Sequence, residues 1–123
     1  MRSFLESRGI ELPEGDPTDD SSKETVSGLG NRKNDDFEQL LKTEGVEPYP
    51  GSVKLVKALI ERGTKLAIVS SSRNAPAVLR AAGMIEHFPV IVDGKVSAER
   101  HLAGKPAPDT FLDAAVQLDV PKE

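Results

Sequence analysis

The chain contains no cysteine and no tryptophan, and its 123 residues include only four Phe and one Tyr. Without cysteine there is neither a disulfide framework nor a thiolate metal site. With so few aromatics the core must be aliphatic, and an apolar share of 37% makes it thin. A complete domain of this length would bury only about two-thirds of its unfolded surface. Long hydrophobic runs are missing as well. None approaches the roughly 18 to 20 residues that cross a bilayer, and residues 1–20 lack the apolar stretch of a signal peptide. Excess positive charge is also absent: the net charge is −4, so electrostatics gives no reason to expect nucleic acid or an anionic membrane as partner. These absences predict a soluble, cytoplasmic protein, forming one domain or a small appendage plus part of a larger one.

What is present is organised in two stretches. Phe4, Leu5 and Arg8 predict a short helix closed at Gly9. Residues 13–23 collect Pro, Gly, Asp and Ser and read as a solvated loop without a core. A second helix is expected from Asn34 to Glu44, with Phe37, Leu40 and Leu41 as its apolar stripe and Gly45 as its stop. The prolines and glycine of Glu47-Pro48-Tyr49-Pro50-Gly51 mark the boundary, giving segments 1–47 and 48–123. Beyond it, Ser52 is a candidate N-cap for a helix bearing Val53, Val56, Leu59 and Ile60, stopped at Gly63. Lys65–Val69 is a short apolar run rich in β-branched residues, as in a strand buried on both faces. Asn74 caps a helix carrying Val78, Leu79 and Ala82, Pro89–Val92 is the next strand, Asp93-Gly94 signals a tight turn, and a last helix starts near Pro108-Asp109. Alternating helix and strand at this spacing predicts an α/β fold with a parallel sheet. Two strands are few for such a sheet, which suggests that the sequence begins after one strand and stops before another.

Two motifs carry candidate chemistry. Val69-Ser70-Ser71-Ser72-Arg73-Asn74 falls at the carboxyl end of the first strand, where open α/β sheets bind ligands. Hydroxyls and backbone N–H groups there form a natural phosphate cradle; a polar strand-to-helix turn with a good cap explains the same residues. Gly104-Lys105-Pro106-Ala107-Pro108-Asp109 presents one lysine from a turn stiffened by two prolines. Such an ammonium neutralises a phosphate, although standing alone the motif is more simply a surface lysine in a proline-rich loop. His87 and His101 have no acidic partner nearby in sequence, and Glu38, Glu44, Glu61 and Asp113 read as solvated helix faces.

Taken together and in this order, the serine-ended strand and the Lys-Pro-x-Pro-Asp turn resemble the haloacid dehalogenase superfamily, and within it the β-phosphoglucomutase-like branch. The resemblance extends over about the whole chain. It implies a Rossmann-like core with parallel strands over residues 48–123 and part of a helical cap over 1–47. It also implies roles: Ser70 binds the transferring phosphoryl group through its hydroxyl, Ser71 adds its backbone N–H, and Lys105 bridges nucleophile and phosphate. Ser72, Arg73 and Asn74 match positions that hold the non-reacting phosphate of a sugar phosphate. Gly28–Asn34 resembles the cap's specificity loop, with Arg32 as its phosphate-binding arginine.

The departures are as informative. The family's nucleophile lies in Asp-x-Asp-Gly, which does not occur here, and the acidic pair that holds Mg²⁺ belongs after a strand that this sequence does not reach. Mg²⁺ is therefore implied by the resemblance, while its carboxylate ligands are not found and no metal-ligating residue is assigned. The expectation is a fragment of a Mg²⁺-dependent phosphotransferase acting on a sugar phosphate through an aspartyl-phosphate, inactive alone. The strand left without a neighbour predicts self-association through an unpaired sheet edge. From a different class, a degenerate gene would give a non-catalytic phosphate-binding or interaction module.

Overall fold

Thr25, not Asn34, opens the long helix of the first unit. The computed structural model describes residues 1–121; Lys122 and Glu123, the end of the expected core segment, lie outside them. Within Met1–Glu44, one of two units, α1 (Arg2–Glu6) is followed by Gly9 at φ 67°, a left-handed turn that lets the Ile10 N–H reach the Leu5 carbonyl at 3.0 Å. α2 (Val26–Glu44) starts about two turns earlier than the sequence suggested. Thr25 Oγ1 accepts from the Gly28 N–H (2.9 Å) while the Thr25 carbonyl accepts from the Leu29 N–H (2.9 Å), which is N-cap geometry. Gly28–Asn34 is therefore helix, not loop. Gly28 serves close approach: a β-carbon there would stand 2.3 Å from the Lys23 carbonyl oxygen.

The segment 13–23 departs from expectation too, because polar groups do the work of a core. Asp19 is buried, and its carboxylate accepts from Lys23 Nζ (2.8 Å), Thr25 Oγ1 (2.8 Å) and the Asp16 N–H (3.0 Å). Asn31 on α2 donates through Nδ2 to the Asp19 carbonyl at 2.7 Å. The bonds from Lys23, Thr25 and Asp16, in that order, hold the Asp19 carboxyl below its ordinary range. A carboxylate whose folded pKa is lowered stabilises the fold above its unfolded pKa of about 3.9, and that contribution is lost as pH falls through the folded value. The loop is thus expected to stay attached from neutral pH down to about pH 4 and to release below it. Side-chain NMR signals of Thr25 and Asn31 followed against pH check this; a loop already loose at neutral pH contradicts it.

The second unit starts at Gly45. α3 (Pro50–Glu61) is capped at Tyr49 with Pro50 in its first turn, rather than at Ser52, since proline's fixed φ suits that position. Val53, Val56 and Leu59 are half-buried as expected, whereas Ile60 is exposed. Then follow β1 (Ala67–Val69), α4 (Ala75–Ala81), a 3-10 turn (Ile85–His87), β2 (Val90–Val92), α5 (Gly94–Glu99) and α6 (Asp109–Gln117). β1 and β2 are parallel, with Ala67 opposite Val90, Ile68 opposite Ile91 and Val69 opposite Val92. This is the expected α/β fold with parallel strands, of Rossmann-like character. Val90, Val92 and Ala114 of α6 form the core, with Ala67, Val69, Val96, Leu102 and Leu118 packed against it.

α6 runs antiparallel to the strands. Lys65, just before β1, donates to the carbonyls of Leu118 (2.7 Å) and Asp119 (3.1 Å) beyond the carboxyl end of α6, where a cation is favoured. The amino end of α6 consequently lies at the carboxyl end of the sheet. β1 is half-buried throughout, not buried on both faces, because among the described residues it has one strand neighbour and α6 packs on one face. Asp93-Gly94 is not a free turn: Asp93 is the N-cap of α5, its Oδ1 accepting from the N–H groups of Lys95 (3.0 Å) and Val96 (2.8 Å). Asp113 is not a solvated face either, since it pairs with Arg100 and joins α6 to the end of α5. No helix among the described residues is long and apolar enough to cross a membrane.

Candidate functional site

β1 ends in a stretch whose hydroxyls are fixed by their own backbone. The Ser70 N–H donates to the Val92 carbonyl (3.0 Å), carrying the strand pairing one residue further. Ser70 Oγ accepts from the Ser72 N–H (3.1 Å), and Ser72 Oγ accepts from the Asn74 N–H (3.1 Å). A hydroxyl whose oxygen is engaged as acceptor keeps its hydrogen to donate, and such chains polarise the donor further. Ser70 and Ser72 thereby keep a hydroxyl hydrogen to offer, as phosphoryl oxygens require. The cost is that the N–H groups of Ser72 and Asn74 are already used, so the backbone donors of the expected cradle narrow to Ser71 and Arg73. Ser70 and Asn74 are half-buried, while Ser71, Ser72 and Arg73 are exposed.

Lys105 arrives at the same place from the other direction. Its loop joins α5 to α6, is tied by the Ala107 N–H to the Gly104 carbonyl (3.0 Å), and contains a cis Lys105–Pro106 peptide. Lys105 Nζ lies 3.4 Å from the Val69 carbonyl oxygen and 5.6 Å from the centre of the Phe111 ring. The first contact is long for a hydrogen bond, yet it sets the ammonium beside the residue that precedes Ser70. Lys105 is 35 positions after Ser70 in sequence, and the fold brings the two motifs to one end of one sheet.

A sequence model for haloacid dehalogenase-like hydrolases matches residues 4–123. The chain belongs to that family. It is 48% identical over 120 residues to a Mycobacterium tuberculosis protein named β-phosphoglucomutase, covering 98% of this chain and 46% of that protein. A Bacillus subtilis β-phosphoglucomutase is 42% identical over 93 residues, covering 75% of this chain and 39% of the relative. A further M. tuberculosis relative, named an uncharacterized glycosyl hydrolase, is 40% identical over 118 residues, 96% of this chain but 9% of its own length. The chain thus spans less than half the length of the relatives it matches, and it resembles the β-phosphoglucomutase branch of its family.

In this haloacid dehalogenase-like chain the remaining site residues fall as follows. Arg32 lies on α2 in the first unit, exposed, with Nε donating to the Ser21 carbonyl at 2.8 Å. That anchor leaves the two terminal nitrogens for another acceptor, in the fork that grips phosphate. Asp93 and Gly94, read from sequence as a turn, border the Ser70 stretch directly: the Gly94 N–H donates to the Ser72 carbonyl at 3.3 Å. The signal available was the pair of amides three and two residues on that an N-cap aspartate satisfies.

The described residues do not make a Mg²⁺ site. Among the described residues no three His, Asp or Glu side chains cluster as metal ligands. Asp93 is committed to the α5 cap, and Asp109 Oδ2 accepts from the Ala103 N–H at 3.1 Å. A groove of about 720 Å³ runs along α3 beside Pro48, Val53 and Lys57 and includes neither Ser70 nor Lys105. Its lining mixes Lys54 and Lys57 with Glu47 and Glu61 and carries none of the hydroxyls found at the strand end.

Proposed function

We propose that this chain supplies the phosphate-holding part of a phosphotransferase acting on a sugar phosphate through an aspartyl-phosphate. The attacking carboxylate and the Mg²⁺ ligands would come from outside this sequence. The observation that carries the reading is Lys105 Nζ 3.4 Å from the carbonyl oxygen of Val69, the last residue of β1 and the one before Ser70. In this reading Ser70 donates its hydroxyl hydrogen to an oxygen of the transferring phosphoryl group, and the Ser71 N–H adds a second donor. The Lys105 ammonium offsets the charge gathered on those oxygens, the kind of fixed electrostatic aid on which phosphoryl transfer depends. Ser72, Arg73 and Asn74 would hold a second phosphate on the same sugar, and Arg32 would bind phosphate through its guanidinium fork. That unit would be part of a helical cap and the second part of the core. A substrate with a phosphate remote from the reacting one favours mutase over simple phosphatase activity. The names of the relatives from Mycobacterium and Bacillus agree with that preference.

The test is a titration of the chain with inorganic phosphate, followed through its backbone amides. Shifts are expected at Ser70 to Asn74 with millimolar affinity, about −4 kcal/mol, because a few charge-assisted bonds must offset ordering and desolvation. Shifts elsewhere with none in that stretch would overturn the assignment.

A further inference from the structure

The Ser71–Arg73 backbone is not held by its own bonds alone. Gly94, the first residue of α5, nests against it: a β-carbon at Gly94 would stand 2.5 Å from the Ser71 carbonyl oxygen and 3.2 Å from both the Arg73 nitrogen and Arg73 Cγ. Contact below 3.0 Å with backbone atoms cannot be relieved by turning a side chain. The Gly94 N–H meanwhile donates to the Ser72 carbonyl at 3.3 Å. Asp93, immediately before, is only 6% exposed and is pinned by the N–H groups of Lys95 and Val96. The turn after β2 and the turn after β1 therefore interlock, one through an absent side chain and one through a capped helix.

We propose that Gly94 is a positioning residue, which sets the conformation of the Ser70–Asn74 stretch through this contact and so fixes the direction of its donors. The conformational half stands on the contact itself. The consequence for phosphate rests on the function proposed above, and the test separates the two. Intrinsic helix preference favours Ala over Gly within α5, so a purely local view has Gly94→Ala tightening that helix. The interlock gives the opposite result.

Amide hydrogen exchange is measured on the chain, on Gly94→Ala, and on Gly51→Ala as a control whose β-carbon meets open space. In Gly94→Ala the Ser72 and Asn74 amides are expected to exchange about tenfold faster or more, while the Ser70 amide, bonded to β2, keeps its protection. Gly51→Ala leaves all three unchanged. Inorganic phosphate titrated into the same proteins should bind Gly94→Ala about tenfold more weakly than the parent. Unchanged exchange at Ser72 and Asn74 overturns the positioning role, whatever phosphate does. Faster exchange in Gly94→Ala, together with a parent chain that shows no phosphate shift, upholds the positioning role and overturns the phosphate reading instead. Should Gly94→Ala fail to fold, the parent chain decides: Ser72, Asn74 and Gly94 exchanging together as one opening unit supports the interlock, and Gly94 exchanging with α5 apart from the other two overturns it.

Discussion

Given an aryl phosphate and Mg²⁺, the 123-residue chain is expected to show no turnover above buffer. Enzymes of phosphate esters must remove at least about 8 kcal/mol from the uncatalysed barrier, and one well-placed donor is worth roughly 10²- to 10³-fold in rate. The Ser70 hydroxyl, the Ser71 N–H and the Lys105 ammonium are donors of that kind, but none of them attacks phosphorus. The carboxylates at this end of the sheet are otherwise engaged, Asp93 on the α5 cap and Asp109 on the Ala103 amide. Release of the aryl alcohol, assayed with and without Mg²⁺, checks the expectation. Turnover that Lys105→Ala abolishes would show that a nucleophile has been overlooked within these residues.

Self-association at the outer edge of β1 is the second large effect expected. Ladder geometry alternates, and since the Ser70 N–H points to β2, the polar groups of Ala67 and Val69 point to the other side, where Lys105 Nζ reaches the Val69 carbonyl but no strand lies among the described residues. Such an edge is a template for another chain. α6, which packs on the strands, leaves large apolar side chains in water: Phe111 is 53% exposed and Val116 69%. Against this stands a core in which Val92 is the largest side chain fully buried among the described residues. Complete domains are stable by only about 5 to 15 kcal/mol, and so small a core will fall short of that range. Sedimentation velocity over a concentration series should show a species that grows with concentration, together with a broad, low melting transition. Ala67→Pro removes one outward N–H at the first residue of the strand, where proline is tolerated, and should shift the distribution toward monomer. A chain that stays monomeric when concentrated and melts cooperatively at high temperature would contradict the expectation.

The second unit was largely legible in the sequence because its signals are short-range and repeat. Gly63 and Gly83, marked as helix stops, sit at φ 72° and 66°. The β-branched runs became β1 and β2, paired in parallel as the intervening helix required. Lys105 and Ser70 were matched through two motifs, and the antiparallel course of α6 explains physically why they share an end of the sheet. The first unit was less legible. The loop of residues 13–23 is built from hydrogen bonds among Asp19, Lys23, Thr25 and Asn31, and hydropathy patterns do not register such a network. Gly28 and Gly30 disguised the opening turns of α2, because glycine is a poor helix former, yet at Gly28 tertiary packing needs the missing side chain. Asp93-Gly94 was ambiguous for a related reason: the same pair that closes a hairpin also caps a helix, and only the neighbouring Ser71 carbonyl shows which.

The proposed function rests on Ser70 and Lys105 together presenting donors to one phosphate. Parallel amide titrations of the chain and of Lys105→Ala with inorganic phosphate test it most directly. A hydrogen bond to a charged group is worth about 1.5 to 3 kcal/mol, so removing the ammonium should weaken binding by roughly tenfold or more while the shifts remain centred on Ser70 to Asn74. Equal affinity in the two proteins, or shifts that map away from that stretch, would contradict the claim.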